Sequence, residues 1–238
     1  AIKKAVEEVT KDIEVYVFVD ISASMQGAIE AAKGYISKFL QGFKLEQLHV
    51  ATFNTQGRAV EIKHASAAGV TNAFRGIRAG GGTSHAAGIR ALQGQKPKDG
   101  TDVLFIFVGD EEERGTFSRE VEASGLSPMA FGFVKTTAST GAASGRRSFV
   151  PPTSSPRGEA RQGYEYSAVR GTAAELGVPC FMIQEDTFAD AYAIPRTIRN
   201  LVAATPVGQV PSGQATPRRV NLVERILKTE LLQKPAWA

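Results

Sequence analysis

The stretch VYVFVDISASM (15–25) carries oxygen-bearing side chains at every second position: Asp20, Ser22 and Ser24. Apolar residues run from Val15 to Val19 before them, so an aspartate that ends a buried strand is followed by two hydroxyls on the same spacing. A Ser or Asp at such a point is commonly an N-cap, its oxygen accepting an amide N–H of the first helical turn. One oxygen suffices for a cap, and here three alternate. A second acidic residue, Asp110, closes the most apolar run of the chain, DVLFIFVGD (102–110). A further hydroxyl, Thr83, follows the glycines of AGGGTS (79–84). Taken alone, Thr83 and Ser84 are explained by capping of the helix that follows.

These residues matter only if the fold gathers them. The pattern predicts a first strand over 14–19, then a helix ending near Gly42 with Ile29, Ala32, Ile36, Phe39 and Leu40 on one face. LHVATF (48–53) and AVEIK (59–63) read as strands joined by the hairpin turn NTQG, an antiparallel edge. A polar helix over 69–78 and a second helix over 84–94, with Ala87, Ile89 and Leu92 inward, precede the strand that ends at Asp110. SPMAFGFV (127–134) and GVPCFMIQ (177–184) complete the strands, each flanked by helix-patterned sequence. Strands that alternate with helices and are apolar on both faces make a doubly wound, mostly parallel α/β sheet with one antiparallel edge strand. In such a sheet ligands gather outside the carboxyl ends of the strands, where Asp20 and Asp110 both stand. If their strands are neighbours, the carboxylates repel one another and favour a cation between them. An all-oxygen donor set without His or Cys suits Mg²⁺, or Mn²⁺, rather than zinc, and leaves a coordination position open.

Together, the string Asp20-Ile21-Ser22-Ala23-Ser24, Thr83 within GGGTS, and Asp110 after an apolar strand resemble the DxSxS…T…D signature of von Willebrand factor A (vWA) domains. The resemblance covers about 12–202 and implies a Rossmann-like vWA fold bearing a metal-ion-dependent adhesion site. It implies that Ser22 and Ser24 bind the metal directly, that Asp20 and Asp110 hold it largely through water, and that Thr83 ligates directly or through water. A partner's carboxylate would fill the sixth position. The chain departs from the usual pattern in placing Gly109 before Asp110 and Glu111, Glu112 and Glu113 after it. Extra acid there tightens a cation and repels an acidic ligand, and Glu112 is a candidate for a direct or water-bridged role. Within the family, DISASM (20–25), AGGGTS (79–84) and DTFADAYAIPRTIRNLV (186–202) resemble the A domain of Ro ribonucleoproteins. Those proteins also carry an RNA-binding ring of helical repeats, and no such ring is visible in this sequence.

With 238 residues and 42% hydrophobic content, the chain is long enough for one large domain. The expected division is a vWA domain over 1–202, a linker over 203–219 and an amphipathic helix over 220–238; a short helix over 2–10 leads into the first strand. No run of eighteen apolar residues exists. The opening residues lack an initiator Met and the apolar core of a signal peptide, which suggests a piece of a longer product. The single cysteine, Cys180, reads as a buried thiol and suits a reducing, cytoplasmic setting. His85 is expected on an exposed first helical turn, and His49 and His64 have no visible partner set.

The net charge is +4, and residues 135–163 hold five basic residues against Glu159 alone, an excess equal to that of the whole chain. That segment, rich in Gly, Ser, Thr, Pro and Arg, reads as a long flexible basic insertion leaving the same rim as Asp20. Its Arg146, Arg147, Arg157 and Arg161 are candidate contacts for an anionic partner, nucleic acid or acidic protein. Three functions compete on this sequence. The first is a non-enzymatic, metal-dependent module that binds an Asp or Glu of a protein partner. The alternative is an RNA-binding ribonucleoprotein component. A metal-dependent hydrolase ranks last, because no GxxxxGK[ST], GxSxG or HExxH motif occurs.

Overall fold

The computed structural model describes residues 12–40, 43–64, 66–110, 113, 115–136 and 167–183. The expected helices over 2–10 and 220–238, the linker over 203–219 and nearly all of the basic insertion lie outside them.

The core is a six-stranded sheet formed by β1 (Ile13–Asp20), β2 (Leu48–Phe53), β3 (Gly57–Val60), β4 (Asp102–Gly109), β5 (Pro128–Lys135) and β6 (Cys180–Ile183). Its order is β3-β2-β1-β4-β5-β6, with β3 antiparallel to β2 and every other pairing parallel. The expected doubly wound α/β sheet with one antiparallel edge is therefore present. Among the described residues, five α-helices connect the strands: α1 (Ile29–Leu40), α2 (Ala67–Ala73), α3 (His85–Leu92), α4 (Ser118–Ser124) and α5 (Ala168–Glu175).

The sequence of β1, IEVYVFVD, is buried along its whole length because both sheet faces are covered. Strand alternation sends Ile13, Val15, Val17 and Val19 to one face, where they meet Ala32 and Ile36 of α1 and Val70 of α2. Tyr16 and Phe18 go to the other, aromatic face with Phe105, Phe107, Phe131 and Phe133, under α3, α4 and α5. The side chains of Phe39 and Leu40, assigned to the buried face of α1, fall outside the description.

The bounds of two elements and the burial of one side chain differ from expectation. Pairing in the hairpin starts at once, Phe53 opposite Gly57, because Gln56 donates its backbone N–H to the Asn54 side chain and closes the turn early. The edge strand is thus Gly57–Val60 rather than 59–63. Helix α2 begins at Ala67, two residues early, because the Ser66 hydroxyl accepts the Gly69 N–H; beyond its end, Gly76 turns the chain with φ +78°. Cys180 is only partly buried, since it lies on β6, the outermost strand.

At the amino end of β1, Glu14 is almost fully buried and well supplied with donors. Its Oε1 accepts from Lys98 N (2.6 Å) and Thr101 Oγ1 (3.2 Å), and its Oε2 pairs with His49 Nε2 (2.8 Å). His49 therefore has partners after all, with Gln95 on its other ring nitrogen and the Tyr16 ring stacked on it at 4.3 Å. Burial, aided by the Glu14 charge, pushes the Tyr16 phenol well above its usual range. This end of the sheet is satisfied internally; the opposite end is not.

Candidate metal centre

Chain order decides where the two acidic strand ends meet. From β1 the chain proceeds to β2 on one side, and it later returns to β4 on the other. The carboxyl ends of β1 and β4 thus flank the point where the winding reverses, the ligand crevice of open α/β sheets. Val19 pairs with Val108 across these strands, so Asp20 and Asp110 emerge side by side on one rim.

Asp20 and Ser22 are each 1% exposed. The Asp20 Oδ1 accepts the Ser22 N–H at 2.7 Å, while the Ser22 and Ser24 hydroxyls lie 3.0 Å apart. Ser22 stands at the cap position of the short 3₁₀ turn Ala23–Met25, but its side chain makes no cap hydrogen bond. Local capping accounts for one oxygen of Asp20 and for neither of these hydroxyls.

Two side-chain atoms among the described residues are buried without any hydrogen-bond partner: Asp20 Oδ2 and Asp110 Oδ1. Leaving a buried acceptor unsatisfied costs about 1–3 kcal/mol, more for a charged group. Burial raises the Asp20 carboxyl above its ordinary value, the Ser22 N–H and hydroxyl oppose the rise, the Asp110 charge adds to it, and His85 lowers it. Two orphaned carboxylate oxygens beside a pair of hydroxyls are a donor set that a hard divalent cation would satisfy. Among the described residues no group of three or more His, Cys, Asp or Glu could hold a metal.

The glycine loop is laced onto the DISAS segment by its backbone. Gly80 N donates to Ile21 O (2.8 Å), and Ala23 N donates to Gly81 O (3.0 Å). Asn54, beyond the end of β2, donates its side-chain N–H to Gly80 O at 2.7 Å. Gly81 sits at φ +80°, where an added Cβ would lie 3.3 Å from the Asn54 amide nitrogen. Both the left-handed conformation and the close approach call for glycine. Thr83, half-buried, follows this loop two residues after Gly81.

Gly109, a departure from the usual pattern, has a steric reason. A Cβ at that position would lie 2.8 Å from Asp20 Cβ and 3.3 Å from its Oδ2. The Gly109 carbonyl accepts from Thr136 N (2.9 Å), so the basic insertion, whose first residues are Lys135 and Thr136, departs from this same rim.

His85 contradicts expectation. It is 2% exposed, with its ring parallel to Phe117 (5.1 Å, 4°) and tilted against Phe53 and Phe107. Glu113 holds it: one carboxylate oxygen lies 2.6 Å from His85 N and 2.5 Å from Nδ1. The Ser84 side chain makes no cap bond, so α3 is capped from another segment. A histidine after Thr-Ser gave no sign of burial, because the aromatic rings around it come from β2, β4 and the residue before α4. Nor does the run Glu111–Glu113 show which glutamate turns inward. Glu112, Arg146, Arg147, Arg157 and Arg161, and the string 186–202, lie outside the described residues.

No family model matches the sequence, and no curated protein matches it. Solved structures do. An aerotolerance-related membrane protein from Bacteroides fragilis superposes with TM-score 0.50 at 16% identity, covering 79% of this chain and 98% of that one. The conserved hypothetical protein BatB from Bacteroides thetaiotaomicron does so with TM-score 0.51 at 15% identity, covering 81% and 100%. A von Willebrand factor type A protein from Catenulispora acidiphila is also similar, at TM-score 0.48 and 15% identity over 77% of this chain and 41% of that one. At these identities the likeness concerns the fold, a doubly wound α/β sheet, and not the activity.

Proposed function

We propose that this chain is a non-enzymatic binding module whose rim holds Mg²⁺, or Mn²⁺, and thereby captures a carboxylate of a protein partner. The observation that carries this reading is the pair of orphaned oxygens, Asp20 Oδ2 and Asp110 Oδ1, on the switch-point rim. Ser22, Ser24 and Thr83 would supply hydroxyl ligands, with Asp20 and Asp110 holding the cation directly or through water. A bound cation would offer an electrophilic coordination position to an anionic oxygen. Neutral hydroxyls leave the cation's positive charge less compensated than further carboxylates would, which favours its grip on an anionic oxygen. The proposed module spans 1–202, with 203–219 as linker and 220–238 as a terminal helix. The RNA-binding reading rested on arginines and strings outside the described residues, and nothing within them favours it.

The test is isothermal titration of the 238-residue chain with MgCl₂ and MnCl₂, beside the Asp20→Ala variant. Saturable binding that the variant loses is expected. Partner capture from solution should then require the cation, and full retention in EDTA would refute the proposed mode of binding.

A further inference from the structure

We propose that Glu113 is a positioning residue for this site, tying the segment that carries Asp110 to the helix that follows Thr83. The inference rests on the cation-site reading above and adds a residue to it. The proposed ligands come from three segments. The DISAS and glycine segments are joined by backbone hydrogen bonds, Gly80 N to Ile21 O and Ala23 N to Gly81 O. Among the described residues, the Asp110 segment is anchored on its strand side by Gly109 O accepting from Thr136 N.

Glu113 supplies the second anchor. It is three residues beyond Asp110, a span of at most about 10 Å of chain. Its carboxylate accepts the backbone N–H of His85 and meets the same residue's Nδ1, so one side chain fixes both the start of α3 and the ring. The ring in turn is walled by Phe53, Phe107 and Phe117 and cannot follow a moving loop. Thr83 is two residues before the anchor point on α3, and Asp110 three residues before Glu113. Asp110 is therefore held between Thr136 on one side and α3 on the other.

Groups that orient metal ligands without touching the metal typically contribute about 10–100-fold to affinity. The probe is Mn²⁺, its affinity for the 238-residue chain read by electron paramagnetic resonance, with thermal unfolding in EDTA as a check of folding. Wild type, Glu113→Ala, Asp110→Asn and the double variant form a cycle. Glu113→Ala should weaken Mn²⁺ by about 10-fold or more, and by less than about 3-fold when Asp110 is already Asn, because the clamp acts on the segment that carries that ligand. A role in stability alone would lower the unfolding temperature and leave affinity unchanged or the two effects additive; either result overturns the proposal. Glu113→Gln, which keeps an acceptor for His85 N, serves where Glu113→Ala fails to fold, and it should lose an intermediate factor. Wild-type affinity preserved within twofold in either folded variant refutes the clamp but not the cation site. No Mn²⁺ binding by wild type refutes both.

Discussion

Replacing Asp20 by Asn separates a residue kept for folding from one kept for a ligand. The amide retains an acceptor for the Ser22 N–H, which now lies 2.7 Å from Oδ1, and removes the charge facing Asp110. It also puts a donor where Oδ2 has no partner. In EDTA the variant should therefore be more stable than wild type, by about 1–3 kcal/mol, the cost of an unsatisfied buried acceptor. At about 2–4 °C per kcal/mol for a chain of this size, Tm should rise by roughly 2–12 °C. The pH dependence has a definite sign. Burial holds the folded Asp20 carboxyl above its unfolded value, so the metal-free fold is favoured by the bound proton. That stability is fully present below the unfolded pKa and is lost as pH rises through the raised folded value. The advantage of the variant should then vanish as the pH falls into the ordinary carboxylate range. Under Mg²⁺ at about 1,000 times Kd the order should reverse, since wild type gains about 4.1 kcal/mol and the variant gains nothing. Differential scanning fluorimetry of both proteins, in EDTA and in MgCl₂ across pH, reads all of this. A variant destabilised equally in EDTA and in Mg²⁺ would show that Asp20 is a structural cap and defeat the reasoning.

Gly109→Ala should cost about 1–3 kcal/mol in urea unfolding, because its Cβ would stand 2.8 Å from Asp20 Cβ, and should also weaken cation binding. Loss of stability with unchanged affinity would mean that the Asp20 side chain can shift without consequence. Glu14→Ala should cost about 2–4 kcal/mol by stranding Lys98 N, Thr101 and His49, yet leave cation affinity unchanged. It lies six residues down the strand from Asp20, about 20 Å away, so an affinity change in calorimetry would contradict the separation of the two rims. Gly57→Ala, whose Cβ would lie 1.8 Å from the Ala87 carbonyl oxygen, should detach edge strand β3 and speed amide exchange there; protection equal to wild type would refute that contact.

Much of the architecture is written locally, and the sequence by itself determines it. The apolar runs of β1 and β4 and the alternation of strands with helices point to a doubly wound sheet, and the DISAS, GGGTS and Asp110 strings name the oxygens. These signals survive in sequence because each needs only neighbours a few residues away: strand alternation, glycine where φ is positive, polar residues where a strand ends. What the sequence left undecided depends on segments far apart in the chain. Only strand order β2-β1-β4 sets Asp20 beside Asp110, and only packing deprives one oxygen of each of a donor. Only packing turns His85 from an exposed helix start into a ring buried among Phe53, Phe107 and Phe117, and chooses Glu113 from three successive glutamates to hold it. Gly109 shows the division in one residue: in sequence it is a departure from pattern, and in the folded chain it is the space that the Asp20 side chain occupies.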